Sequence, residues 1–142
     1  MKALARLVGK TIVDAFVTWW PEFNDGPTEH DEVTLVFDDC RALFTSTHGD
    51  LIVVDIFNGP PPPSPPTDVR VSLKEVHGLD AVGESIVSFD FGDTEPTNNV
   101  TASWVQVRFS GGGSISIRAL PQLTSEETLV VSVNERQATT SV

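Results

Sequence analysis

The sequence predicts a mainly β protein: two pseudo-repeated antiparallel β-meanders packed together, with one or two short helices. Three observations lead there. Apolar and polar residues alternate in several short runs, as in Val87, Phe89 and Phe91 against Ser88 and Asp90, which marks strands with one face covered. Turn-forming residues separate these runs at short intervals. A glycine-led motif, Gly9-Lys10-Thr11-Ile12-Val13, comes back 74 positions later as Gly83-Glu84-Ser85-Ile86-Val87.

In chain order, Lys2 to Val8 reads as two helical turns stopped by Gly9, a residue suited to a helix C-terminus. The next strand carries Val13, Ala15, Val17 and Trp19 on one face and Ile12 and Phe16 on the other, so both its faces are covered. Val33, Leu35 and Phe37 lead through a polar turn, Asp38 to Arg41, to a returning strand at Leu43. Thr47 to Asp50 makes another turn before a strand over 51–57. Six of the eleven residues from Asn58 to Asp68 are proline, which lacks the amide hydrogen a sheet interior needs. This stretch is an extended spacer, with a docking ligand for an aromatic-lined groove as the other role for such a run.

Beyond it, Val69, Val71 and Leu73 alternate as a strand, and Leu79 to Val82 reads as a short helical counterpart of the N-terminal one. Val105, Val107 and Phe109 turn through Ser110 to Ser114 into Ile115 and Ile117. Ser125-Glu126-Glu127 has the residues to cap a single turn. The reiteration extends to Val33-x-Leu35-x-Phe37 with Val105-x-Val107-x-Phe109, Leu43 with Ile115, and Leu51-Ile52-Val53 with Leu129-Val130-Val131, at offsets that drift as loops lengthen. The expected organisation is one domain, 1–142, made of pseudo-repeats 1–57 and 69–142 joined by the spacer 58–68.

Composition narrows the function classes. A chain of 142 residues buries enough surface to fold without staples. Nine Lys and Arg against twenty Asp and Glu give a formal charge of −11, which argues against nucleic acid or an anionic membrane as partner. The single cysteine, the lack of a cleavable leader pattern and the absence of a long apolar run make the cytoplasm the expected compartment. No nucleotide, hydrolase or metalloprotease motif is present, and Gly111-Gly112-Gly113 lacks the lysine and helix of a phosphate loop. Glu29-His30-Asp31-Glu32 holds ligand-capable groups in consecutive positions that do not converge on a metal by spacing. Cys40 is expected in a turn beside Asp39, whose carboxylate blunts a thiol, with His48 and His77 far along the chain. No catalytic residues, metal or cofactor are therefore expected.

The acidic residues are the useful clue. Glu22, Asp25, Glu29, Asp31 and Glu32 fall within eleven positions that hold no Lys or Arg. Trp20 and Phe23 stand at the head of this stretch, so an aromatic anchor rimmed by carboxylates is available to a basic protein partner. Asp90, Asp93 and Glu95 occupy the equivalent connection of the second half. The same tryptophans, with Trp104, would also serve as packing beneath a loop or as a sugar-stacking platform.

Gly9 to Ile12, Val33 to Phe44 and Gly49 to Asp55 together resemble the core of small bacterial proteins of uncharacterised function, some of which are immunity proteins encoded beside secreted toxins. The resemblance covers about residues 9–55. It implies a non-catalytic protein that binds one toxin domain through acidic surface. The function expected is thus a cytoplasmic protein-binding module, an immunity-type inhibitor of a basic enzyme. The alternatives are a structural subunit that forms homo-oligomers through exposed strand edges, and an enzyme or sugar-binding module around the tryptophans.

Overall fold

The computed structural model describes residues 2–18, 29–30, 32–46, 51–58, 70–92, 101–120 and 128–134. Among the described residues, eleven strands form two antiparallel sheets. One sheet contains β1 (Asp14–Thr18), β3 (Glu32–Val36), β4 (Cys40–Ser46), β5 (Ile52–Asn58), β6 (Arg70–Ser72) and β8 (Thr101–Ala102), in the order β6-β1-β3-β4-β5-β8. The other contains β2 (Glu29–His30), β7 (Ile86–Gly92), β9 (Trp104–Phe109), β10 (Ser114–Leu120) and β11 (Thr128–Asn134), in the order β2-β11-β10-β9-β7. The mainly antiparallel β architecture expected from the alternation is what forms.

The inward residues of both sheets meet in one apolar core. Alternate positions of β4 supply Cys40, Ala42 and Phe44, and β10 supplies Ile115, Ile117 and Ala119. Val33 and Leu35 of β3 and Val105 and Val107 of β9 lie beside them, fully buried. Val33, Val105, Val107, Ile115 and Ile117 are β-branched, and their stiff side chains fit a pleated surface covered on one side.

Among the described strands the chain passes between the sheets five times, and two of these crossings are immediate, from His30 to Glu32 and from Ala102 to Trp104. On each occasion a two-residue strand joins the far sheet: His30 lies opposite Leu129, and Ala102 opposite Ile52. A second reciprocal contact joins the glycine-led segments. Gly9 donates to the Ile86 carbonyl at 2.9 Å and Gly83 to the Ile12 carbonyl at 2.8 Å, while Ile86 donates to Lys10 at 3.0 Å and Ile12 to Glu84 at 2.8 Å. Both glycines have φ of +89°, a region that side chains with a Cβ rarely enter, and this accounts for glycine at both places.

Several local expectations are corrected. The N-terminal segment is a 3₁₀ helix, Lys2–Leu7. The second helix is not at Leu79–Val82 but is α1 (Leu73–His77), which ends the β6 strand after Ser72. Ser72 caps it by accepting from the Glu75 amide at 3.1 Å, and Gly78 closes it, so the capping pattern outweighs the alternation of Val69, Val71 and Leu73. Leu79 and Ala81 are buried in an irregular segment where Asp80 Oδ1 accepts from the Val82 amide.

Cys40 opens β4, buried opposite Asn58, and is not in the turn. Leu43 points away from the core. Ala42 pairs with Leu35 across the turn 37–39, and Ile115 pairs with Val107 across the turn 110–113, which is one residue longer. The expected spacer begins inside β5, whose final residue is Asn58; its remainder lies outside the described residues, as do the turn at 47–50 and the Ser125 cap.

Candidate functional site

Of the residues singled out by sequence, Trp20, Glu22, Phe23, Asp25 and Asp31 lie outside the described residues. The structure does place the end of their segment. Glu29 sits in β2, with its backbone opposite Val130. Glu32 opens β3 between Thr18 and Thr45 and is half-buried. The acidic stretch therefore arrives at a point where the chain is tied first to one sheet and then, two residues later, to the other.

Five described cations are engaged elsewhere, while Arg118 of β10 lies opposite Val130, whose other neighbour is Glu29. Lys10 Nζ meets Asp39 Oδ2 at 2.7 Å across the β3–β4 turn, which lowers the Asp39 carboxyl and raises the Lys10 amine from their ordinary pKa values, mainly through that hydrogen bond. Arg108 Nε meets Asp90 Oδ2 at 3.2 Å and Lys74 approaches Asp80 at 3.7 Å. The Arg6 guanidinium donates to Asn58 Oδ1, and that of Arg41 lies 4.8 Å from the centre of the Phe57 ring. At the β9–β10 turn a carboxylate takes the place of the amine: Glu84 accepts from the Gly111 amide at 2.7 Å.

No nucleophilic pair forms among the described residues. Burial, then the Asp39 carboxylate, raises the Cys40 thiol above its usual pKa, which leaves it inert. His77 is at the end of α1, and burial lowers its imidazole below the ordinary value. His48 lies outside the described residues. Within the described residues no group of three or more His, Cys, Asp or Glu converges on a metal-sized site, and no helix is long and apolar enough to cross a membrane. Trp104 is partly exposed and lies over Gly92, its partner on β7, where a Cβ would strike the indole.

One feature escapes the sequence. Leu4, Ala5 and Val8 of the N-terminal helical segment and Val87, Ser88, Phe89 and Phe91 of β7 enclose a cavity of about 360 Å³. Val8 is 48% exposed, Val87 54% and Phe91 38%, so the cavity opens to solvent along an apolar rim. Phe89 and Phe91 lie opposite Val107 and Val105, which are fully buried, so both rings stand on the core side of an edge strand that leaves them half-covered. The signal available beforehand was the pair of phenylalanines in β7 at places where β1 has Ala15 and Val17.

Together these features define an acidic two-sheet antiparallel β protein with an open apolar edge and no assembled catalytic group among its described residues. Comparisons with protein-family models, curated proteins and solved structures yielded no match.

Proposed function

We propose that this chain is a non-catalytic protein-binding module that captures a basic partner through its acidic surface, as an immunity-type inhibitor does. The observation that carries this is the concentration of charge. The chain bears −11, and five of its carboxylates fall within 22–32, a stretch that holds no Lys or Arg. A concentrated negative field accelerates encounter with a basic surface and selects against acidic ones. Trp20 and Phe23 would supply the anchor.

The scaffold behind this surface is, on the same proposal, two copies of one meander. The reciprocal bonds of Gly9 with Ile86 and of Gly83 with Ile12, and the two-residue strands exchanged at His30 and Ala102, support that view.

The test replaces the five acids (Glu22→Gln, Asp25→Asn, Glu29→Gln, Asp31→Asn, Glu32→Gln) and measures association with the partner purified from the host. Wild-type association should weaken as ionic strength rises from about 0.1 M to about 1 M, which shortens the screening length from ~10 Å to ~3 Å. The amide variant should bind weakly at either salt while keeping its unfolding midpoint. Unchanged affinity in that variant removes the electrostatic basis. The open edge of β7 favours the alternative, homo-oligomeric assembly; light scattering that shows a stable oligomer supports it, and a monomer supports the inhibitor.

A further inference from the structure

Cross-strand pairing sets Gly92, Trp104 and Arg118 side by side on β7, β9 and β10. Trp104 and Arg118 stand on the outer face of the five-stranded sheet, because their neighbours Val105, Ile117 and Ala119 point into the core. A Cβ built on Gly92 would strike Nε1 of the Trp104 indole and lie 2.6 and 2.9 Å from Cε2 and Cδ1, the two atoms bonded to it. Approach in the ring plane would leave those two atoms farther off, so the indole lies face-down over Gly92 and turns its other face outward. Trp104 keeps 37% of its surface in solvent. Beside it Arg118 is exposed, and among the described residues no hydrogen bond or ion pair engages its guanidinium. The next row across the sheet holds Asp90, Gln106 and Ser116. There Arg108 donates to Asp90 Oδ2 at 3.2 Å and to Gln106 Oε1 at 3.3 Å, which holds both side chains in place and leaves the Gln106 amide hydrogens free to donate.

We propose that this face binds an acidic saccharide: one pyranose ring of a uronic-acid sugar lies on the free face of Trp104, and its carboxylate meets Arg118. The C–H bonds on one side of a pyranose ring carry the positive partial charge that the negative face of an indole attracts. Among the cations whose side chains are described, Arg118 alone lacks a partner, and its planar fork takes a carboxylate through two parallel hydrogen bonds. Residues directly opposite on a sheet have Cβ atoms about 4.5–5.5 Å apart, so one sugar residue reaches both. Glu29 stands two strands beyond Arg118, about 10 Å away, which is about one screening length at ~0.1 M salt. Asp90, Gln106 and Ser116 supply acceptors and donors for the hydroxyl groups. A nucleic-acid strand would ask instead for successive free cations along its phosphates, and the charge of −11 opposes it. The site goes beyond the capture of a protein and does not involve the 22–32 carboxylates.

Trigalacturonic acid and its methyl ester, which keeps the ring faces and removes the charge, are titrated separately into the intact ¹⁵N-labelled protein. The expected result is a shifted Trp104 indole N–H, with shifts at Gln106 and Arg118, and tighter binding of the acid than of the ester. Trp104→Ala should lower affinity for both sugars about tenfold or more. Arg118→Gln changes an exposed side chain and should lower affinity for the acid to that for the ester. This second variant decides the matter should Trp104→Ala unfold. No shift at these residues with either sugar overturns the proposal. So does acid binding that is indifferent to Arg118→Gln, or sugar binding that survives in a folded Trp104→Ala variant. Larger shifts at the same residues with a thymidine oligonucleotide overturn it too, since the face would then stack bases. Sugar binding should persist in the five-amide variant, so failure of the acidic-surface reading leaves this one standing, and the reverse also holds.

Discussion

Replacing Gly9 and Gly83 by alanine, singly and together, tests the junction on which both halves turn. Each glycine has φ of +89°, and a Cβ built on either meets no heavy atom within 4 Å. The substitution therefore adds no clash, and its cost is conformational. An L side chain in the left-handed region costs roughly 1–2 kcal/mol. Reduced freedom of the unfolded chain returns about 0.4–1 kcal/mol of this. The expected net loss is about 1 kcal/mol at each site, and equal at the two. With a urea slope of about 1–3 kcal/mol/M, the unfolding midpoint should fall by ~0.3–1 M in either variant. Gly9 and Gly83 share the Ile12 and Ile86 backbone bonds, so the double variant should lose less than the sum of the two. A loss above about 3 kcal/mol at either site, or a loss confined to one of them, would refute the reasoning, because alike φ and alike empty surroundings would then not set the cost.

Two further outcomes follow from the titratable groups. The Cys40 thiol, buried in β4 with its pKa raised first by desolvation, should resist a disulfide reagent such as Ellman's in the native protein and react promptly in guanidinium; fast native labelling would place it at the surface. His77 has its pKa lowered by burial, so the unfolded chain binds its proton first as pH falls. Its contribution to stability is full above the ordinary value of 6.5 and is lost from there down to the folded pKa. His77→Gln should flatten the pH dependence of the unfolding midpoint below 6.5, and identical profiles for variant and wild type would contradict it.

Sequence alternation read the strands well where one face is buried and one wet, as in Val105, Val107 and Phe109. It failed where a local signal competed. Val69, Val71 and Leu73 alternate, yet Ser72 and Glu75 form a cap that turns the chain helical at Leu73. Nor does alternation fix register across a hairpin: Ala42 lies opposite Leu35 across a three-residue turn, and Ile115 opposite Val107 across a four-residue one. The two-residue strands at His30 and Ala102 pair with β11 and β5, partners distant along the chain that two residues cannot announce. The β7 cavity was illegible for a similar reason: Val87, Phe89 and Phe91 look like any covered strand until the described strands are seen to end at β7.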